Sequence, residues 1–256
     1  MTTSLLEVTN LTKRYAGVIA TDDLTLSVVT GELHAVIGPN GAGKTTLIAQ
    51  LGGQVVPDSG RIRFAGNDIT GLPVHRRSHL GLARTFQISS LFLDLTVLDN
   101  VALAVQAHVG HSFRFWREAR KDPKLRQPAR AMLARVGLAQ RADLPASVLS
   151  HGEHRLLELA IALASEPRML LLDEPMAGLG PEESAHMVDM LRTLKRVLTI
   201  LLVEHDMEAV FALADRITVL VYGRAIAVGK PEAIRVSKEV CEAYLGEANE
   251  ETMSVG

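Results

Sequence analysis

"GPNGAGKTT", residues 38–46, decides how the rest of the chain is read. It fits G-x-x-x-x-G-K-[ST], with Gly38, Gly43, Lys44 and Thr45 at the fixed places. The apolar run "LHAVIG" enters it and the helical stretch "GKTTLIAQL" leaves it, so the loop joins a strand to a helix. A chance glycine-rich loop would not need both flanks. The chemistry does: a curled backbone over Gly38, Pro39, Asn40, Gly41, Ala42, Gly43, Lys44, Thr45 and Thr46 points N–H groups at phosphate oxygens, and the helix N-terminus adds a favourable dipole. Lys44 puts a cation on the β- and γ-phosphates, and Thr45 offers a hydroxyl to Mg²⁺.

Such a loop needs an acidic partner, and "MLLLDE", residues 169–174, supplies one. This short apolar strand delivers Asp173 to its carboxyl end, where ligands bind in open α/β sheets, and Asp173 can hold a Mg²⁺-bound water. Glu174 projects to the other side of the chain and can face the attacking water as general base. For a single carboxylate the plain alternative is a solvated strand end, which is weak beside a complete phosphate loop. "LTILLVEHD" repeats the design, an apolar strand ending in Glu204, His205 and Asp206, with His205 a candidate hydrogen-bond partner of the γ-phosphate, although a lone histidine is more often structural.

Outward from these motifs the pattern is mixed. The first 70 residues read as strands and turns interrupted by the helix from "GKTTLIAQL", residues from about 96 to 164 as amphipathic helices, and the rest as apolar strands alternating with helices at about 181–196 and 207–213. Buried strands separated by helices imply a parallel sheet covered on both faces. The chain has 256 residues, 47% of them apolar, and a net charge of −2, so it can build a large core and carries no global basic footprint for nucleic acid. Its single cysteine, Cys241, is expected on the apolar face of a C-terminal helix with Ile234 and Tyr244, packed in the core. Apolar runs such as "LTILLV" fall far short of a membrane span, so the expected location is cytosolic.

"LSHGE", residues 149–153, precedes another apolar-periodic stretch. Ser150 and Glu153 have capping-box spacing, and Leu156, Leu159 and Leu163 make the buried stripe. A capped helix start also presents N–H groups and positive dipole to an anion.

Taken in order, "GPNGAGKTT", "TFQ", "LSHGE", "LLLDEP" and "VEHD" resemble one family, the ATP-binding subunits of ABC transporters. "LGLARTFQ", "LTVLDNV", "VEHDMEAV" and "EAYLGE" are most similar to the subgroup serving branched-chain and hydrophobic amino-acid uptake, whose relatives also handle urea, short amides and small aromatic acids. The resemblance implies an α/β fold: a P-loop ATPase core with a mostly parallel sheet, an N-terminal antiparallel β subdomain and an inserted helical subdomain. It implies one domain over residues 1–256, with the core in 1–87 and 165–256 and the helical signature subdomain in 88–164. It also implies ATP and Mg²⁺ as ligands, Tyr15 as the aromatic under adenine, Gln87 as an amide on Mg²⁺ beside Thr45 and Asp173, and His205 as γ-phosphate sensor. Ser150, His151, Gly152 and Glu153 would face the ATP of a second chain.

The partners implied are a second ATP-binding subunit, identical or different, two integral membrane permease subunits and an extracytoplasmic solute-binding protein. The chain would then sit peripherally on the cytoplasmic face of the inner membrane. Two features depart from the family pattern: Gly180 stands where an aspartate usually contacts the opposite subunit, and His151 and Glu153 replace Gly and Gln of the usual signature. The basic stretch 114–130, with Phe115 and Trp116, is expected to be a solvated helical excursion near the membrane. A soluble ATPase of the same type acting on nucleic acid or ribosomes is the rival reading, but one cassette without a long coiled-coil insertion favours transport.

Overall fold

The computed structural model describes residues 4–85, 91–110 and 122–243. Its centre is a six-stranded sheet in the order β10-β9-β3-β8-β7-β6. β3 (Leu33–Ile37), β6 (Leu82–Arg84), β7 (Met169–Asp173), β8 (Thr199–Val203) and β9 (Arg216–Val221) run parallel, and β10 (Arg224–Gly229) returns antiparallel beside β9. A second, antiparallel sheet comprises β1 (Ser4–Tyr15), β2 (Val18–Val29), β4 (Ser59–Phe64) and β5 (Asn67–Asp68).

The continuous apolar runs at 169–172 and 199–203 follow from burial on both sides of the sheet. Leu170, Leu172, Ile200 and Leu202 pack toward the helices, α3 (Val97–Val109), α5 (His151–Leu163) and α6 (Pro181–Leu194) among them. Met169, Leu171, Leu201 and Val203 pack toward α1 (Lys44–Gly52) and the antiparallel sheet. Period-two alternation with apolar residues on both faces leaves no polar face to show in the sequence. α4 (Pro123–Arg135) completes the helical lobe; α7 (Met207–Leu213) and α8 (Pro231–Arg235) close the β9–β10 side.

Some elements differ from the sequence expectation. α2 (Val74–His79) and β6 are too short to carry a period. α6 stops at Leu194, two residues short of Arg196, and Lys195 just beyond it turns its ammonium onto the Leu213 carbonyl and Asp215. Cys241 is exposed. The inward place falls to its neighbour Val240, which packs with Ile234, and one residue along a helix turns the side chain by about 100°. Tyr244 and residues 114–121 of the aromatic-basic stretch, Phe115 and Trp116 among them, lie outside the described residues. Among the described residues no helix is long and apolar enough to cross a membrane.

Candidate nucleotide site

Parallel pairing brings three strand ends together. Val36 pairs with Val203 and Val203 with Asp173, so the loops leaving β3, β8 and β7 share one edge of the sheet. The phosphate loop leaves the first, Glu204 and His205 the second, and Glu174 the third.

Glycine is required in the phosphate loop for two reasons. Gly38, Gly41 and Gly43 have φ of +152°, +76° and +99°, a region that side chains disfavour. A Cβ on Gly38 would also lie 2.0 Å from the Leu220 carbonyl oxygen, and one on Gly43 2.0 Å from that of Ala20. Gly43 caps α1 without a side-chain hydrogen bond, and the first turn of α1 has no acidic residue. The helix start therefore keeps its positive end for a ligand. Lys44 is buried and curls back, its Nζ donating to the carbonyls of Gly38 (2.6 Å) and Pro39 (2.8 Å). Asn40 and Thr45 are exposed, Thr46 is half-buried and Ala42 is buried.

Tyr15 ends β1, paired with Val18, and is 45% exposed with the Lys13 ammonium 5.5 Å from its ring centre. Its hairpin is tied to the loop. Asp22 N–H donates to the Gly223 carbonyl and Gly223 N–H to that of Ala42, both at 2.9 Å.

Asp173 is buried at the end of β7. Its Oδ2 accepts from Arg84 Nη2 at 2.9 Å, while its Oδ1 is buried with no hydrogen-bond partner. Burial pushes its pKa up, and Arg84 and Lys44 act against that rise. An unpartnered carboxylate oxygen and the exposed Thr45 hydroxyl are the hard donors a hydrated Mg²⁺ takes, so the residues fit that ion. Glu174 has a left-handed φ of +49°, held by its N–H donating to the Val203 carbonyl at 2.9 Å. Such strain, about 1 to 3 kcal/mol, persists where surrounding structure imposes it. It sets Glu174 Oε1 3.8 Å from His205 Nδ1. Gln87 lies outside the described residues.

At the other motif Ser150 caps α5 in a complete capping box: Glu153 N–H donates to Ser150 Oγ (3.2 Å) and Ser150 N–H to Glu153 Oε2 (2.9 Å). The Ser150 N–H, and after it Arg141, hold the Glu153 carboxyl below its usual range. His151 is exposed and turns toward Gly178 in the loop after β7. Glu183 reaches over from α6, its Oε1 accepting from Gly152 N–H (3.2 Å) and Ser150 Oγ (3.3 Å). The start of α5 thus already holds a carboxylate. The cavity there, about 450 Å³, is lined by Arg141, Ser150, Gly152, Glu182 and His186 among others and by no residue of the phosphate loop.

Sequence reasoning missed Arg84 and Glu183 as site neighbours, and it placed Glu204 at the strand end without giving it a role. Only Glu204 carried a signal, an acid placed directly between an apolar strand and His205.

The sequence profile described as "ABC transporter" matches residues 21–177, well over half of the chain. The chain belongs to the ABC transporter family. This ABC-family ATPase is 38% identical, over 97% of its length and all of the relative's, to the high-affinity branched-chain amino acid transport ATP-binding protein BraF of Pseudomonas aeruginosa. It is also 38% identical to LivG of Escherichia coli K12, a protein of the same description, with the same coverage. The ADP conformation of an ABC transporter's ATP-binding cassette superposes with a TM-score of 0.85 at 30% identity, covering 96% of this chain and 100% of that one. The protein is therefore an ATP-binding, ATP-hydrolysing ABC transporter subunit.

Proposed function

We propose that this ATPase drives uptake of branched-chain or other hydrophobic amino acids, as one of two subunits that close head to tail over two ATP molecules. The observation that carries the dimer is the separation of its two anion-receptive helix starts: that of α1 serves the phosphate loop, that of α5 opens into a different cavity. Each ATP would lie between the α1 start of one subunit and Ser150 and Gly152 of the other. Glu174 takes a proton from the attacking water, whose oxygen displaces ADP from the γ-phosphorus, and His205 donates to a γ-phosphate oxygen. Lys44 and the loop N–H groups hold the phosphates, and Tyr15 stacks on adenine. Thr45, Asp173 and Gln87 would hold Mg²⁺, which supplies charge neutralisation on the β- and γ-oxygens.

Two membrane permease subunits and an extracytoplasmic binding protein complete this reading, with the chain on the cytoplasmic face. A cleft of about 250 Å³ between α2, β6, α3 and α5 suits a short amphipathic helix of a permease. Val74, Ala104 and Ile161 line it, with His79 and His108 stacked at 5.5 Å, and exposed Phe92 and Leu103 extend it. Support for the solute comes from the BraF and LivG relatives, whose descriptions name branched-chain amino acids.

Glu174→Gln tests the machinery. ATP affinity is expected to stay within about threefold while turnover falls by at least ~100-fold and an ATP-dependent dimer appears on size exclusion. Normal turnover would reassign the base. Reconstitution with the cognate permeases tests the solute: binding protein loaded with leucine, isoleucine or valine should stimulate hydrolysis. Stimulation only by urea, a short amide or an aromatic acid would replace the solute and keep the machinery.

A further inference from the structure

Glu204 is a carboxylate with no solvent exposure, one residue past the end of β8. Its two oxygens serve different loops. Oε1 accepts the Met176 N–H at 2.9 Å, in the segment that follows Glu174. Oε2 accepts the N–H of His205 at 2.9 Å and that of Asp206 at 3.4 Å. Burial pushes its pKa up and these N–H groups, Met176 first, act against the rise. A buried acid costs free energy that an apolar side chain at the same place would avoid, so packing alone does not account for it.

The geometry points to Glu204 as the positioning residue that fixes the Glu174 loop against the His205 loop. Below it the loops are joined through the sheet, where Asp173 pairs with Val203 and Glu174 N–H donates to the Val203 carbonyl. Beyond that rung both chains leave the strands, and Glu204 hydrogen-bonds to both of them. One carboxylate spanning the gap sets the separation at which Glu174 Oε1 and His205 Nδ1 stand 3.8 Å apart. It also fixes the His205 and Asp206 backbone from which α7 starts, Asp206 Oδ1 capping the helix by accepting from Ala209 N–H at 3.1 Å. Glu204 touches no phosphate position itself, and acts through the two residues it holds. This inference rests on the roles given above to Glu174 and His205.

Two variants test it. In Glu204→Gln the side chain keeps its shape but has one acceptor oxygen, so it can serve one loop and presents an N–H₂ donor to the other. Glu204→Asp keeps both oxygens but is one methylene short of the span. Turnover, KM for ATP, the melting temperature and amide hydrogen exchange at Met176, His205 and Asp206 are measured on the full chain. The expected result for both is a kcat about 10- to 100-fold lower, the range for a misplacement near 1 Å, with KM within about threefold. Exchange should rise at those three amides and stay unchanged in β3 and α1. Wild-type kcat with faster exchange would overturn the positioning role, and unchanged exchange in Glu204→Gln would overturn the bridge itself. Equal loss of kcat, melting temperature and protection across the whole core in both variants would overturn it as well, by making Glu204 a general core residue. The exchange readout does not depend on catalysis. Hydrolysis persisting in Glu174→Gln would therefore remove the catalytic reading while leaving the bridge tested on its own.

Discussion

Arg77→Met removes one buried cation and nothing else of comparable size. Arg77 is 1% exposed, and its guanidinium donates to the carbonyls of Leu72 (2.8 Å), Gln50 (2.7 Å), Leu51 (2.7 Å) and Thr70 (2.9 Å). Burial brings its pKa down to about 10, which leaves it charged at neutral pH. The Gln50 and Leu51 carbonyls belong to the last turn of α1, the helix whose first turn we propose receives the phosphates. Methionine fills much of the volume but donates nothing. Gln50 keeps the Gly53 N–H at 3.2 Å, so the loss falls on the other carbonyls, at about 1 to 2 kcal/mol each, for a total of about 4 kcal/mol. For a domain of this size that is a fall in melting temperature of about 10 °C. Because Arg77 lies at the far end of α1, ATP affinity should stay within about twofold, and Mg-ATP at 100 times its Kd should restore about 2.7 kcal/mol. Denaturant titration and thermal melts with and without nucleotide measure all three quantities. A loss under about 1 kcal/mol, or an ATP affinity that falls with stability, would refute the picture of a cation clamping one end of a helix that binds at the other.

Glu183→Gln should free the Gly152 and Ser150 donors from a competing carboxylate, so the ATP-driven dimer, assayed in a Glu174→Gln background, should form at several-fold lower ATP; a weaker dimer would make Glu183 a supporting group instead. Gly180→Asp should fold normally, since Gly180 has φ −71° and nothing lies within 4 Å of an added Cβ, and its effect should appear in ATPase cooperativity; a fall in melting temperature would show that the position needs glycine. His34 is buried between Glu32 Oε1 (3.0 Å) and Thr218 Oγ1 (2.7 Å), and burial lowers its pKa against the pull of Glu32. The unfolded chain then takes up the His34 proton first as pH falls below about 6.5, which favours unfolding. Wild-type stability should therefore drop between pH 7 and 5.5 relative to His34→Gln, and parallel pH curves would exclude His34 as the cause.

What the sequence made legible divides by the range of the interactions. The phosphate loop, the apolar strands and the capping box are local patterns, and each stands in the structure where the sequence put it. β6 was hidden because three residues carry no period, and Cys241 was misplaced because a one-residue shift around a helix exchanged it with Val240. Arg84 and Glu183 escaped for another reason. Arg84 meets Asp173 across 89 positions, and Glu183 meets Gly152 across 31. No local spacing encodes such pairs.

Gly180 shows how the two kinds of information combine. The sequence marks the missing aspartate as a loss at the contact between subunits, but the structure removes any backbone reason for it, because an ordinary φ and open space would accept a side chain. Three residues on, Glu183 accepts the Gly180 N–H at 3.3 Å with Oε2, while Oε1 lies on the start of α5. An aspartate at 180 would put a second carboxylate beside Glu183, and like charges that close repel. The glycine and the position of Glu183 therefore belong together. Gly180→Asp should weaken the Glu183 contact with Ser150 and Gly152, and Glu183→Gln should reduce that effect. A double-mutant cycle on ATP-driven dimerisation reads the coupling directly, and strict additivity of the two substitutions would sever the link between them.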